Sequence, residues 1–119
     1  MGLFYELGKS AALKEWKGVD LDGTLATYHK WEGPDQIGDP IPKMVTRVKK
    51  WLSDGKDVRI MTARVADDKN GVASKAIKAW CKEHVGKALP VTNIKDQGMT
   101  ELWDDRAVGV TKNIGERKS

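Results

Sequence analysis

The chain has 119 residues and a net charge of +4, with 39% hydrophobic and 32% charged residues, the balance of one soluble globular domain with a modest core. No apolar run approaches the roughly 20 residues of a membrane-spanning helix, the first residues lack the basic-then-apolar pattern of a secretory signal, and Cys81, the single cysteine, excludes an intrachain disulfide and offers no zinc pattern. A reducing cytoplasm and no membrane partner are the expectation. The mild basic surplus suits phosphorylated or nucleic-acid ligands without demanding them.

Residues 1–15 read as an extension of unclear role, with a short helix over 9–15. WKGVDL (16–21) reads as a short buried strand. GTLATYHKWEGPDQIGDP (23–40) is rich in Gly, Pro, Asp and aromatics, the mark of an irregular or hairpin-like excursion. Pro40 and Pro42 then open a helix, where a missing N–H is tolerated. Its stripe is Ile41, Val45, Val48 and Leu52, with Lys43, Arg47 and Lys50 off the stripe, and Gly55 ends it.

DVRIMT (57–62) reads as the second strand. Asn70 caps a second helix, whose apolar face is Val72, Ala76, Ile77, Trp80, Cys81 and Val85 and whose stop is Gly86. Lys75, Lys78 and Lys82 share its other face, read as solvated. LPVTNI (89–94), ELWD (101–104) and AVGVT (107–111) supply three more strands. Strand, helix, strand, helix, strand is the rhythm of a parallel sheet with helical crossovers. Trp16, Trp51, Trp80 and Trp103 fall on apolar faces, whereas Trp31 lies in the polar excursion beside Tyr28 and His29.

In such a sheet, ligands bind beyond the carboxyl ends of the strands. Asp20 and Asp22, within GVDLDGTL (18–25), end the first strand; Thr62 ends the second, Lys95 follows the third, and Asp104 and Asp105 end the fourth. Carboxylates at the ends of buried strands cost desolvation unless compensated. A divalent cation is a natural partner for several together.

DLDGT, the threonine of MTAR, the lysine of NIKD and the aspartates of WDDRA resemble the four motifs of the haloacid-dehalogenase-like (HAD) phosphatases, in order, from about Lys17 to Val110. Lys95 precedes Asp104 by nine residues (104 − 95), as in small members of that family. The resemblance implies a Rossmann-like three-layer α/β/α core with a mainly parallel sheet. It also implies a phosphohydrolase mechanism. Asp20 would be the nucleophile, ionised at pH 7 if its pKa is ordinary. Asp22 would protonate the leaving alcohol and then deprotonate the attacking water.

Mg²⁺ would be held by Asp20, the Asp22 carbonyl and one of Asp104 and Asp105. Thr62 would bond a phosphoryl oxygen, and Lys95 would neutralise charge on the transferring group. Gly23 would let the backbone approach phosphate, Thr24 would orient the turn, and Arg64 would reach the substrate or pair with Asp67 or Asp68. Within the family, the second aspartate favours phosphatase over dehalogenase, because a halide leaves without a proton.

Between Asp22 and Thr62 lie 39 residues (62 − 22 − 1), and between Thr62 and Lys95 lie 32 (95 − 62 − 1). The predicted helices and strand fill much of both. One domain without a cap is therefore expected, with only a small flap at roughly 25–39. An open site suits nucleic-acid ends or phosphoproteins, and also nucleotides or other small phosphorylated molecules where a second subunit covers it in a homo-oligomer. Tyr28, His29 and Trp31 would either stack on a base or fasten the flap to the body. The competing functional reading is a non-catalytic phosphate- or metal-binding module that keeps the motifs.

Overall fold

The computed structural model describes residues 14–119; the helix expected over 9–15 falls largely outside them, and Lys14 and Glu15 carry no regular structure. Four strands, β1 (Trp16–Val19), β2 (Val58–Met61), β3 (Val91–Thr92) and β4 (Met99–Trp103), form one sheet in the order β3-β2-β1-β4. Every pairing is parallel. Helix α1 (Pro42–Ser53) joins β1 to β2, and α2 (Val72–His84) joins β2 to β3. This is a small α/β, Rossmann-like fold with the parallel sheet and helical crossovers that the alternation of elements predicts. Among the described residues no inserted domain interrupts it, and both helices join the core on one face of the sheet, so they form one helical layer of the expected three-layer α/β/α core.

Side chains alternate across a strand, and the two faces of this sheet differ. Val19, Val58 and Ile60 share a face and merge with Met44, Val45 and Val48 of α1 and Ile77, Trp80 and Cys81 of α2 in one buried cluster. Burying each such large apolar side chain contributes roughly 1.5–3 kcal/mol. The opposite face carries Trp16, Gly18 and Arg59. The indole of Trp16 is buried, donates to Asp96 Oδ1 at 2.8 Å and lies under the Arg59 guanidinium at 4.6 Å.

Several boundaries differ from the sequence reading. Only Pro42 opens α1. Pro40 pairs with Ala26 in an antiparallel bridge, and the Ile41 N–H is spent on the Leu25 carbonyl at 2.8 Å, so residues 40–41 stay extended. Asn70 does not cap α2. It adopts φ 59° within the short 3-10 turn Lys69–Gly71. Gly71 holds the N-cap position, and the first N–H groups are satisfied from before the turn by Asp68, whose carboxylate accepts from the Ala73 N–H (2.8 Å), the Ser74 N–H (3.1 Å) and the Ser74 hydroxyl (2.6 Å). Those bonds, the hydroxyl's foremost, hold the Asp68 carboxyl below its usual range.

Val72, expected on the buried face of α2, is exposed. Residues 107–111 form no strand of the sheet; Val110 bridges Arg117 instead, and the tail folds back on itself through Lys118 N–H to Gly109 O at 2.8 Å. Among the described residues no helix is long and apolar enough to cross a membrane.

Candidate functional site

The sheet order places the site. From β1 the chain steps outward to β2 and β3, then returns to the other side of β1 for β4. Adjacent strands whose connections diverge leave a crevice at their carboxyl ends. Register brings the ends level: Val19 lies beside both Ile60 and Trp103, and the Asp20 N–H donates to the Trp103 carbonyl at 2.9 Å. The residues after Val19, Met61 and Trp103 therefore meet. They are Asp20, Thr62 and Asp104.

The chain turns sharply after Asp20. The Leu21 carbonyl accepts from Leu25 (3.0 Å) and Ala26 (2.9 Å), and the Gly23 N–H donates to Ala26 O at 2.8 Å. Leu21, Leu25 and Ala26 are fully buried, so the turn is anchored by apolar contacts while its polar residues face outward. Gly23 has φ +87°, and a Cβ there would lie 2.6 Å from Asp105 Oδ2. Only glycine admits both that backbone and that carboxylate. The Thr24 hydroxyl bridges the two segments, 3.3 Å from Asp20 Oδ2 and 3.1 Å from Asp105 Oδ1, and accepts from the Asp105 N–H at 3.0 Å.

Asp20, Asp104 and Asp105 each present a carboxylate oxygen within 4.8 Å of the others. Burial and the negative charge of Asp104, with a hydrogen bond to Asp105 and its charge, push the Asp20 carboxyl up to about 7. The pKa is therefore not the ordinary one on which ready ionisation of the nucleophile rests; burial and the acidic neighbours oppose its charge. The donors are all hard oxygens, the set that Mg²⁺ takes. Arg106 supports the cluster with its backbone, donating its N–H to Asp104 Oδ1 at 2.8 Å.

Asp22 faces the same cavity, of about 1130 Å³, which Asp20, Thr62, Asp104 and Asp105 also line. Arg64 grips it in a two-pronged pair, Nε to Oδ2 and Nη2 to Oδ1, both at 2.8 Å. The third nitrogen of Arg64, Nη1, donates to the carbonyls of Gly33 (3.2 Å) and Pro34 (3.1 Å). Its guanidinium also lies 4.9 Å over the Trp31 ring. The Arg64 side chain is 4% exposed. Thr62, itself buried, sets this arginine's backbone by accepting from its N–H at 3.1 Å.

The flap is hinged at its base. The Thr27 N–H donates to Asp39 O at 2.8 Å, and the Asp39 N–H to the Thr27 hydroxyl at 3.0 Å. Trp80 of α2 donates its indole N–H to Gly38 O at 3.0 Å. Tyr28 and Trp31, both largely exposed, line the cavity from the flap.

The structure thus brings Asp20, Asp22, Thr24, Thr62, Asp104 and Asp105 around one crevice, with Gly23 against Asp105. Lys95 is exposed on the segment after β3 and is not among the cavity's lining residues, although Asn93, two positions earlier, is. The pairing of Arg64 with Asp22 was not readable in advance. The residues lie 42 positions apart, and the nearer acidic residues, Asp67 and Asp68, were the obvious alternatives.

No family model matches the chain, and no curated protein matches it. Among solved structures, a conserved protein coded by a locus from Bacteroides thetaiotaomicron is similar, with 21% identity and a TM-score of 0.57 over 80% of this chain and 78% of that one. A likeness at that identity establishes the α/β fold alone.

Proposed function

We propose that the protein is a magnesium-dependent phosphohydrolase that cleaves phosphate monoesters through an aspartyl-phosphate on Asp20, with nucleotides or nucleic-acid ends as the substrate class. The observation that carries the reading is the convergence of Asp20, Asp104 and Asp105 within 4.8 Å at the point where the sheet's connections diverge. Mg²⁺ would be held by Asp20, the Asp22 carbonyl and one of Asp104 and Asp105. Bound there, the cation offsets the repulsion between an anionic nucleophile and an anionic phosphate.

An Asp20 oxygen attacks phosphorus as the ester P–O bond breaks, and Asp22 gives its proton to the departing alkoxide. Asp22 then takes a proton from water as that water attacks the phosphorus. The P–O bond to Asp20 breaks and phosphate leaves. Both Asp22 oxygens accept from Arg64, so carrying a proton requires one of those bonds to open. The Thr62 hydroxyl, on the cavity wall, fits a phosphoryl oxygen, whereas the Gly23 N–H is already spent on the Ala26 carbonyl. Tyr28 and Trp31, exposed on the cavity's rim, suit a planar base.

The test is hydrolysis of p-nitrophenyl phosphate, deoxynucleoside monophosphates and 3′-phosphorylated oligonucleotides, with Mg²⁺ and with EDTA. Magnesium-dependent phosphate release that an Asp20→Asn variant loses supports the reading. Equal activity in that variant refutes the nucleophile. The position of Lys95 outside the cavity favours a second reading, a module that binds phosphate or metal without turnover, and Mg²⁺ binding with no hydrolysis across the panel would select it.

A further inference from the structure

We infer that Arg64 is a positioning residue that couples the seating of the flap tip, residues 28–36, to the orientation of Asp22. Its catalytic consequence rests on the function proposed above; the coupling itself does not. A guanidinium has five N–H donors. Four are taken here: two by the Asp22 carboxylate, one by Gly33 O and one by Pro34 O. The Trp31 indole lies against its face, and the side chain is 4% exposed.

An arginine so engaged has little left for a substrate phosphate. Its planar fork instead holds two pieces of chain at a fixed relative angle, which a lysine cannot do. Asp22 and the flap tip have no hydrogen bond to one another. Arg64 is the bridge, and Thr62 sets its backbone from the end of β2. The base of the flap is secured separately, by Thr27, Asp39 and the Trp80 indole, so the tip can loosen while the base holds. Any change that frees Asp22 from Arg64 therefore also loosens the tip, and any movement of the tip reaches Asp22.

The experiment is backbone 15N relaxation by NMR on the whole protein for wild type, Arg64→Lys, Arg64→Ala, Asp22→Ala and the Asp22→Ala/Arg64→Lys double variant, because Arg64 holds the tip by its carbonyl oxygens and order parameters report tip motion directly. Asp22→Ala should lower the order parameters at residues 28–36 from about 0.85 to below about 0.6, although Asp22 makes no hydrogen bond to the tip. Arg64→Lys should do the same, and the double variant should go little beyond either single change, because both cut one chain of contacts. Order parameters in α1 and α2 should stay at the wild-type level. If Arg64→Ala does not fold, Arg64→Lys, which keeps the charge and loses the fork, decides. Wild-type order parameters at the flap tip in Asp22→Ala, or additive effects in the double variant, overturn the inference.

A kinetic arm reads the consequence. Arg64→Lys should lower kcat by about 10- to 100-fold and change KM by less than about threefold. Millimolar guanidinium should restore part of the loss in Arg64→Ala. A wild type inactive on every ester refutes the proposed function, and the relaxation results still decide the coupling.

Discussion

Asp20 carries an electrostatic cost that the rest of the site is arranged around. Its carboxyl is pushed from 3.8 up to about 7 by burial and by its acidic neighbours. An acid whose folded pKa lies above its unfolded value binds more protons folded than unfolded. Its contribution to stability is fully present below about pH 4 and is lost as pH rises through about 7. Asp20→Asn removes the charge and nearly keeps the shape. In EDTA, the variant should melt above wild type at pH 8, and the gap should shrink by pH 5. Discounted for the water Asp20 still meets, 1–2 kcal/mol corresponds to roughly 5–10 °C; differential scanning calorimetry reads it, and an equal gap at both pH values sinks it. The same scale decides Lys95. Exposed and outside the cavity, it should matter little: Lys95→Ala should lower kcat/KM by less than about tenfold on p-nitrophenyl phosphate.

At the scale of elements, the excursion between β1 and α1 is the part with most to lose. Its two arms pass so close at Gly38 that a Cβ there would lie 2.0 Å from the Thr27 carbonyl oxygen. Backbone cannot yield as a flexible side chain does. Gly38→Ala should destabilise the protein by about 2–3 kcal/mol, seen as a lower urea midpoint with an unchanged slope. It should also weaken the Trp80 contact to the Gly38 carbonyl, so indole fluorescence should shift in the folded variant. Wild-type stability and emission would show that the arms separate freely. Helix α2 displays the same dependence on one local device, since the Asp68 carboxylate, not the left-handed Asn70, satisfies the N–H groups of Ala73 and Ser74 in its first turn.

Across the whole molecule, the strand order concentrates negative charge at one end of the sheet, and a divalent cation should relieve it. Ligands that bind only the folded state stabilise by mass action, about 2.7 kcal/mol at a hundred times Kd. Millimolar Mg²⁺ at pH 8 should raise the wild-type Tm by several degrees and leave that of an Asp104→Asn/Asp105→Asn variant nearly unchanged. An equal rise in both would place the cation elsewhere. The crevice itself was legible from the chain, because local patterning marks where strands end and Asp20, Asp22, Thr62, Asp104 and Asp105 stand at those ends. Alternation and helical stripes likewise announced the parallel α/β architecture, since they report which side of each element is buried. Packing between distant segments decided the rest. Arg64 turned to Asp22 and the flap, Lys95 stayed in solvent, and residues 107–111 folded back on the tail. Each of those outcomes depends on which partners are within reach in three dimensions, a quantity that neither propensity nor spacing along the chain encodes.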